Sequence, residues 1–385
     1  MLNSHLGDVI EPFVVMDVMN KAAALERQGR RVFHLEVGQP GTGAPATAIE
    51  AAQLAMINDR LGYSSAVGMP VLREAIARHY RNKMDLEVDP GRIVATAGSS
   101  GGFVLALLAA LPAGARVAIT EPGYPCYRNI LMSLGFHPVT VPCRAEDGYQ
   151  LTVEALEHYG SNVDGLLIAS PANPTGSIID GTQMRRLADY CRERGIVIVS
   201  DEIYHGIDFG EAAVTALKSD PDAIAVNSFS KYFSMTGWRI GWLVVPANLV
   251  RTVEKLSQNL FIAPSTLSQF AATAAFDAEE ELQGHVRRYR ANRSIVLEGL
   301  QAAGLTSYAP PQGAFYVYVD AGDLTANSGH FCARLLAETG VAITPGSDFD
   351  KSQGNRMIRF SYSGPTEDIR EAMQRFGAYA IGYRE

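Results

Sequence analysis

The stretch GLLIASPANPTGSIIDGTQMRRLADYCRERGIVIVSDEIY, residues 165–204, contains the pattern of a strand, a helix and a second strand in succession. Gly165–Ala169 and Ile196–Ser200 are short apolar runs without polar alternation, and Gly181–Arg194 between them is an amphipathic helical pattern. Strands that are apolar on both faces and separated by helices are typical of a parallel sheet covered by helices on both sides. The stretch therefore predicts an α/β fold of the doubly wound kind.

The same alternation extends through the middle of the chain. Further strands are predicted at Arg92–Thr96, Arg116–Thr120, Pro138–Val141, Ala223–Asn227 and Gly241–Val245, and further helices at Gly101–Leu111 and Tyr124–Leu134. The mainly parallel sheet should form one large domain, which we place at residues 45–290.

The last third of the chain has a different pattern. Pro246–Leu300 lacks strand signals and predicts long helices interrupted at Pro264. Beyond it, short strands are predicted at Phe315–Val319, Val341–Thr344 and Met357–Phe360, with helices at Gly329–Thr339 and Pro365–Tyr379. This pattern predicts a smaller α+β domain. The residues alone leave open which part the N-terminal segment packs against, and we assign residues 1–44 together with 291–385 to the small domain.

Composition excludes several classes of function. The 385 residues are 47% hydrophobic, which is ample for a large core, and the formal charge is −8 without any Lys/Arg-rich run. These features argue against nucleic acid or a membrane as the partner. No HExxH or paired Cys/His spacing predicts a metal site. The cysteines, far apart and among apolar neighbours, indicate reduced thiols of a cytoplasmic protein; they are Cys126, Cys143, Cys191 and Cys332. Residues 1–30 lack the pattern of a signal peptide, and the longest apolar runs, such as Val104–Leu111, are far shorter than a membrane span.

Polar residues follow the ends of four predicted strands. These residues are Gly98, Ser99 and Ser100 after the first strand, Asn173 after Gly165–Ala169, Asp201 and Tyr204 after Ile196–Ser200, and Ser228, Lys231 and Arg239 after Ala223–Asn227. In open α/β sheets, ligands bind in the crevice beyond the carboxyl ends of the strands. We therefore expect these side chains to converge on one crevice.

The chemistry of this set matches one cofactor. The small residues Gly98–Ser100 open a helix, whose N-terminus favours a phosphate, and Ser228 and Arg239 could add a hydroxyl and a fixed charge. Asp201 could remain ionised opposite a protonated ring nitrogen. Lys231, desolvated among aromatic neighbours, would be an amine nucleophile. Phosphate, ring cation and carbonyl are the three handles of pyridoxal 5'-phosphate, and the crevice offers a partner for each.

The segment SFSKYFSMTGWRIGW, residues 228–242, resembles the lysine signature of the fold-type I, class I/II aminotransferases of the aspartate aminotransferase superfamily. The resemblance covers nearly the whole chain, because further motifs follow in the order of that family. They are VGQPGTGAP, GYSSAVGMPVLREAIA, TAGSSGGF, EPGYPCY, SPANPTG, SDEIYHGIDF, PQGAFYVYVD and RFSYS. Each motif alone is a moderate signal, whereas the ordered set is very specific.

The resemblance implies a role for each matching residue around the cofactor ring. Lys231 would carry pyridoxal 5'-phosphate as a Schiff base and later shuttle the proton of the substrate α-carbon. Asp201 would keep the pyridine nitrogen protonated. Asn173 and Tyr204 would hydrogen-bond the phenolic oxygen of the ring, and Tyr124 would stack on the ring.

The resemblance also implies how phosphate and substrate are held. The phosphate would contact Gly98, Ser99, Ser100, Ser228 and Arg239, with Tyr63 reaching in from a second subunit of a homodimer. Arg359, assisted by the Gly38 backbone and Asn173, would bind the substrate α-carboxylate. The implied activity is transfer of an amino group between an L-amino acid and a 2-oxo acid with ping-pong kinetics, a step of amino-acid metabolism or biosynthesis.

Other interpretations remain for single residues and for the whole set. Asp201 could be a helix N-cap, Tyr124 a core residue and Arg359 a structural ion-pair partner. A pyridoxal-phosphate lyase would use the same cofactor residues for β-elimination. Gly98–Gly102 also matches G-x-S-x-G, so a serine hydrolase with Ser100 as nucleophile is a remote alternative, although it leaves Lys231 unexplained.

The substrate is weakly specified by the residues. Gln258–Ala263, where a second basic residue for an acidic substrate could lie, contains no arginine. Phe13, Val14, Val15 and Phe261 suggest an apolar pocket. The sequence therefore favours neutral or aromatic amino acids over acidic ones.

Overall fold

The computed structural model describes residue 7 and residues 10–383, so part of the N-terminal stretch used above to argue against a signal peptide lies outside the described residues. The described residues form twelve α-helices and twelve β-strands. The helices are α1 Val14–Arg27, α2 Ala46–Asn58, α3 Pro70–Met84, α4 Gly98–Ala110, α5 Pro125–Ser133, α6 Val153–Tyr159, α7 Gly181–Arg194, α8 Val250–Leu260, α9 Thr266–Ala275, α10 Glu279–Ala302, α11 Ser328–Thr339 and α12 Thr366–Gly382. The strands are β1 Phe33–His34, β2 Ile93–Thr96, β3 Arg116–Glu121, β4 His137–Pro142, β5 Gly165–Ala169, β6 Val197–Asp201, β7 Ile224–Ser228, β8 Gly241–Val244, β9 Tyr316–Asp320, β10 Val341–Ala342, β11 Thr344–Pro345 and β12 Met357–Ser361.

Seven strands form the central sheet in the order β2-β8-β7-β6-β5-β3-β4. Neighbouring strands are parallel except at β8, which runs antiparallel to both β2 and β7. The prediction of a mainly parallel sheet is confirmed. The carboxyl ends of β5, β6 and β7 consequently lie side by side at one edge of the sheet.

Successive residues of β5 are buried in different cores. Leu166 and Ile168 belong to one apolar cluster, together with Leu187 of α7. Leu167 belongs to a second cluster, together with Phe103 of α4. Because successive side chains of a strand point to opposite faces, helices cover the sheet on both sides. This arrangement explains why the central strands are continuously apolar.

Helix α7 has the predicted bounds because both of its ends are specified locally. The carboxylate of Asp180 accepts hydrogen bonds from the backbone N–H groups of Thr182 and Gln183, each at 2.8 Å. Gly195 ends the helix in a left-handed conformation with φ 67°. The helix therefore begins and ends where the sequence predicts.

A second, antiparallel sheet has the order β11-β12-β9. The predicted strand Val341–Thr344 is in fact two short strands, because β10 pairs with β1 while β11 pairs with β12. The pairing of β1 with β10 places the N-terminal segment against the C-terminal part of the chain, a choice that the residues alone left open.

The predicted helical segment is divided into α8, α9 and α10. Pro264 lies between α8 and α9, and the Ser265 hydroxyl caps α9 by accepting a hydrogen bond from the Ser268 N–H at 3.3 Å.

Across the described part of the chain, no helix combines the length and apolar character needed to cross a bilayer. The four cysteines are free thiols.

Candidate active site

A cavity of about 220 Å³ lies at the carboxyl ends of β6 and β7, beside the N-terminus of α4. Most of the predicted site residues line it. They are Gly38, Ser99, Ser100, Tyr124, Asn173, Asp201, Tyr204, Lys231, Arg239 and Arg359. The remaining predicted residues, Gly98, Ser228 and Tyr63, do not line this cavity. The convergence expected from the strand ends is thus present for the central residues.

Lys231 lies just beyond β7, and its Nζ donates a hydrogen bond to the carbonyl oxygen of Gly38. Burial lowers the pKa of Lys231 to about 8; Arg359 also lowers this pKa, while Asp201 acts in the opposite direction. The Nζ atom lies 5.9 Å from the centre of the Tyr204 ring. An amine with this pKa is partly neutral near physiological pH, as a nucleophile or a base must be.

At Gly38, the backbone lies very close to the side chain of Tyr316. A Cβ atom at this position would lie 1.9 Å from the hydroxyl oxygen of Tyr316. Any side chain here would therefore displace Tyr316 or the backbone carbonyl to which Lys231 donates.

Asp201 is the last residue of β6 and is buried. One carboxylate oxygen accepts a hydrogen bond from the Tyr127 hydroxyl, and the other accepts one from the Ile203 N–H at 3.1 Å. Burial raises the pKa of Asp201 to about 6, and the hydrogen bond from Tyr127 opposes that rise. The carboxylate is therefore ionised at neutral pH, and a cation beside it would be stabilised.

The hydroxyl groups of Tyr204 and Tyr316 are hydrogen-bonded to each other at 2.7 Å. Burial raises the pKa of Tyr204 well above its ordinary value, so this phenol stays protonated and can donate a hydrogen bond. Tyr124 lies beside this group in the cavity wall, where the ring of Phe13 packs edge-on against it at 5.7 Å between centres.

The N-terminus of α4 is suited to bind an anion. Its N-cap residue, Ala97, offers no side-chain acceptor to the first N–H groups of the helix. Gly98 has φ 69°, and a Cβ atom there would lie 2.5 Å from Nη2 of Arg239. The absence of a side chain at Gly98 therefore lets the guanidinium approach the helix N-terminus.

Ser228, which the resemblance implies as a phosphate contact, does not itself line the cavity. Its hydroxyl is buried within the lysine segment, donating to Ser230 Oγ at 2.8 Å and accepting from the Ser230 N–H at 3.0 Å. Ser230 and Thr236 line the cavity in its place. The sequence could not distinguish these hydroxyls, because all three lie in the same motif.

Arg359, in the middle of β12, is among the most deeply buried side chains, with 1% exposure. Its Nη1 donates to Asn173 Oδ1 at 2.8 Å, and its Nη2 donates to the Glu36 carbonyl oxygen. The guanidinium lies between the rings of Tyr316 and Phe349, 4.5 Å from each ring centre. Its Nε has no hydrogen-bond partner within the described residues. Among residues 7 and 10–383, no carboxylate lies at hydrogen-bond distance from Arg359, so a structural ion pair within that range does not account for it.

Tyr63 lies outside the cavity with 89% exposure. Other large apolar side chains on the neighbouring surface are also exposed, including Leu54, Met56 and Ile57 of α2. Within a single chain, Tyr63 does not line the cavity, so the phosphate contact implied for it would require a second subunit.

One end of the cavity is apolar. The apolar lining there includes Phe13, Val15, Met16, Met19, Val37 and Ile130, while Phe103 and Ile203 also line the cavity. The sequence identified Phe13 and Val15 but not the methionines, whereas the expected Val14 and Phe261 do not line the cavity. Val14 lies on another face of α1, and Phe261 packs against the cluster around α4.

The sequence also missed two tyrosines of the polar end. Tyr127 lies in the quoted EPGYPCY motif and Tyr316 in PQGAFYVYVD, yet neither received a role. Their phenols contact Asp201 and Tyr204 from residues distant in sequence, so no local spacing announces the contacts.

The arrangement fits pyridoxal 5'-phosphate and does not fit a serine hydrolase. A buried carboxylate, an amine of lowered pKa and an uncapped helix N-terminus beside Arg239 match the ring nitrogen, carbonyl and phosphate of the cofactor. His205, in contrast, hydrogen-bonds the Ser170 carbonyl oxygen at 3.1 Å and does not line the cavity with Ser100. Within residues 7 and 10–383, no group of three or more His, Cys, Asp or Glu side chains could hold a metal ion.

Comparison with known proteins agrees with this chemistry. The model of the family "Aminotransferase class I and II" matches residues 30–376. A valine–pyruvate aminotransferase of Mycobacterium tuberculosis is 46% identical over 374 residues, covering 96% of each chain. An aspartate aminotransferase of Pyrococcus abyssi is 31% identical, covering 96% of this chain and 95% of the relative. The crystal structure of an aminotransferase from Mycobacterium tuberculosis superposes with a TM-score of 0.97 at 44% identity, covering 99% of this chain and 100% of that one.

Proposed function

This chain belongs to the class I and II aminotransferases, which depend on pyridoxal 5'-phosphate, and from that premise we propose that it transfers the amino group of a neutral, apolar L-amino acid to a 2-oxo acid. The observation that carries the proposal is the presence of Lys231, Asp201 and Arg359 in one cavity whose far end is apolar. The bound cofactor supplies the electron withdrawal that acidifies the α-hydrogen of the amino acid.

Lys231 has two tasks in this proposal. Its Nζ would hold the cofactor covalently and, as a free amine, would move the proton at the substrate α-carbon. The lowered pKa, about 8, supports both tasks because the amine must lose its proton easily. The Gly38 carbonyl oxygen, which accepts a hydrogen bond from Nζ, orients the amine.

Asp201 and its neighbours orient the ring. Asp201 stabilises the positive charge on the ring nitrogen, and Tyr127 keeps that carboxylate fixed and ionised. Tyr204 and Asn173 donate hydrogen bonds to the phenolic oxygen of the ring, and Tyr124 stacks on the ring face. Both donors are held in place, Tyr204 by Tyr316 and Asn173 by Arg359.

The N-terminus of α4 would hold the phosphate of the cofactor. Gly98, Ser99 and Ser100 provide its N–H and hydroxyl donors, and Arg239 provides a fixed charge. Ser230 and Thr236 line the cavity close to Arg239 and are the better-placed hydroxyls of the lysine segment, with Ser228 orienting Ser230.

Arg359 binds the substrate α-carboxylate. The Nε–H group is buried without a partner in the described part of the chain, so a carboxylate would satisfy it. The flanking rings of Tyr316 and Phe349 keep the guanidinium plane fixed before substrate arrives.

The apolar wall selects the substrate side chain. The cationic side chains among the described residues of the cavity are Lys231, Arg239 and Arg359, each of which already has a task at the polar end. A distal carboxylate would lie against Met16, Met19 and Ile130 without a cationic partner. This favours a donor such as L-valine over L-aspartate, in line with the name of the mycobacterial relative rather than that of the Pyrococcus relative.

We further propose that the enzyme is a cytoplasmic homodimer acting in amino-acid biosynthesis. An exposed Tyr63 beside the exposed apolar residues of α2 supports a second copy of the chain on this surface. Tyr63 would then reach the phosphate of the neighbouring subunit. The division into a large domain, residues 45–290, and a small one, residues 1–44 with 291–385, belongs to the same proposal.

The experiment is a single-turnover survey of amino donors with the cofactor-loaded enzyme. L-valine should convert the cofactor to its amine form with one equivalent of 2-oxo acid and no ammonia, at a kcat/KM well above that of L-aspartate. For a donor that carries a β-leaving group, such as L-cysteine or O-acetyl-L-serine, release of ammonia together with pyruvate would instead indicate a lyase. A preference for L-aspartate over every neutral donor would overturn the proposed substrate class.

A further inference from the structure

Helix α1 forms a large part of the apolar wall of the cavity. Val15, Met16 and Met19 project from its first turns into the lining, and Phe13, just before the helix, contacts the ring of Tyr124. These side chains recur at the spacing of one helix face, so the position of the first turn of α1 sets the shape of the wall.

The first turn of α1 has no cap of its own. The N-cap residue is Phe13, whose side chain accepts no hydrogen bond. The missing acceptor comes from 334 residues further along the chain, because Asp348 Oδ1 accepts the Val14 N–H at 3.2 Å. The Val15 N–H also helps to lower the pKa of this carboxylate. A carboxylate at this end of a helix both satisfies free N–H groups and interacts favourably with the helix dipole.

Asp348 is committed to this contact. It is 6% exposed, and its second carboxylate oxygen has no hydrogen-bond partner in the described part of the chain. A buried carboxylate with a free oxygen is costly, and its hydrogen bond to an otherwise uncapped helix offsets part of that cost, which indicates a positional role. Burial raises the pKa of Asp348, while the N–H groups of α1 oppose that rise.

Phe349, the residue after Asp348, contacts the arginine that would bind the substrate α-carboxylate. Phe349 packs its ring on the guanidinium of Arg359, and its carbonyl oxygen accepts the Gly123 N–H at 3.0 Å. The turn passes close to Met357 at Gly346, because a Cβ atom there would lie 2.5 Å from that of Met357. One short turn thus positions both the α-carboxylate clamp and the wall against the substrate side chain.

We propose that Asp348 is a positioning residue for substrate selection, which caps α1 from a distance and thereby holds the apolar wall against the side chain of a branched amino donor. This inference rests on the proposed function, since it assumes that the side chain of the donor occupies the apolar end. It predicts that the cap matters for L-valine, whose methyl groups extend toward the wall, and not for L-alanine, whose single methyl group stays near the α-carbon.

The test compares the two donors in variants of the full-length, cofactor-loaded enzyme. Asp348→Ala should lower the ratio of kcat/KM for L-valine to that for L-alanine about fivefold, the equivalent of a lost N-cap. The loss should fall on KM for L-valine, because chemistry at Lys231 is unchanged. Asp348→Asn keeps an amide oxygen that can accept the Val14 N–H and should restore most of the ratio.

A second variant tests the same contact from the helix. Val14→Pro removes the N–H group that Asp348 accepts, while proline is well tolerated at the first position of a helix and the preceding Phe13 is already extended. It should shift the donor ratio in the same direction as Asp348→Ala. Asp17→Asn, an exposed acid of the same first turn, is the matched control and should leave the ratio unchanged.

Hydrogen exchange separates the outcomes. Faster exchange of the first-turn amides of α1 in Asp348→Ala, with the valine/alanine ratio reduced and restored by Asn, supports the proposal. Equal losses for both donors, or an unchanged ratio in Asp348→Ala and Val14→Pro, would overturn it. If Asp348→Ala fails to fold, the valine/alanine ratio of Val14→Pro alone tests the proposal. A wild-type enzyme that prefers L-aspartate to every neutral donor would refute the proposed substrate class instead, and this is seen before any variant is made.

Discussion

The two ends of the cavity are built on different physical principles. At the polar end, Asp201 and Arg359 are buried and Lys231 is partly buried, and all three are fixed by hydrogen bonds and placed by strands of the two sheets. At the apolar end, Val15, Met16 and Met19 project from a helix whose first turn is held by one distant carboxylate. We infer that the first end fixes the chemistry and the second end selects the substrate.

This difference determines what substitutions should do. Removing one partner from a buried, hydrogen-bonded charge leaves the other partner unsatisfied, so effects at the polar end should be large and equal for all donors. Apolar contacts are weaker individually and depend on the shape of the ligand. Effects at the apolar end should therefore be small and differ between donors.

The largest effect is expected for Arg359→Gln. Loss of the charge that binds the α-carboxylate should reduce kcat/KM by about 10²–10³-fold, and equally for L-valine, L-alanine and L-aspartate. Arg356→Gln is the matched control, because Arg356 is close in sequence but its exposed guanidinium pairs with Asp320. A loss confined to one donor would show that Arg359 serves the side chain rather than the α-carboxylate.

The pH dependence of cofactor uptake tests Lys231 at the same end. The lowered pKa means that Nζ is mostly protonated below about pH 8 and mostly neutral above it. The rate at which apoenzyme acquires the visible absorbance of bound cofactor should therefore rise as pH increases from 6 and level off above about pH 8. The control is Nα-acetyl-L-lysine amide in solution, which has a free ε-amine. The rate of its reaction with the cofactor should rise up to about pH 10.4. Continued increase of the enzyme rate toward pH 10 would contradict the lowered pKa.

Much of the polar end could be predicted from the sequence, because its geometry follows from local rules. Gly165–Ala169 is apolar throughout and became β5 with the predicted bounds. Asp201 and Lys231 follow buried strands, and parallel strands bring such residues to one edge. Asp201 is the last residue of β6 rather than the first beyond it, a shift of one residue that leaves its side chain in the cavity.

The apolar end could not be predicted, because its contacts are long-range. The bond from the Val14 N–H to Asp348 joins residues 334 positions apart, and no motif announces it. The pairing of β1 with β10 likewise depends on tertiary packing, since β1 is only two residues long. At the polar end, the contact of Tyr127 with Asp201 escaped prediction for the same reason.

Tyr127→Phe should have a smaller effect at the polar end than Arg359→Gln, because it removes one neutral hydrogen-bond donor rather than a charge. Without the phenol, one oxygen of Asp201 loses its donor, and the pKa of Asp201, already raised to about 6 by burial, should rise further. Cofactor affinity should fall about tenfold, and activity should decline at a higher pH than in the wild type as the medium is acidified. Tyr318→Phe is the control, because its buried hydroxyl has no hydrogen-bond partner in the described part of the chain. An unshifted acidic limb in Tyr127→Phe would mean that Tyr127 is only a packing residue.

The smallest effect is expected for Met19→Ala at the apolar end. Shortening this side chain should lower kcat/KM for L-valine about fivefold while leaving L-alanine and cofactor binding unchanged. Val18→Ala, which shortens the preceding residue of α1 against a different apolar cluster, controls for weakening of the helix. Equal losses for both donors in Met19→Ala would remove the distinction between the two ends.

The central claim is that Lys231 holds pyridoxal 5'-phosphate covalently, and it can be measured directly. Borohydride reduction of the purified enzyme followed by peptide mapping should bleach the visible absorbance and leave the cofactor fixed on Lys231. Lys231→Ala should lack the reducible absorbance altogether. A cofactor label on another lysine, or reducible colour retained in Lys231→Ala, would contradict the account.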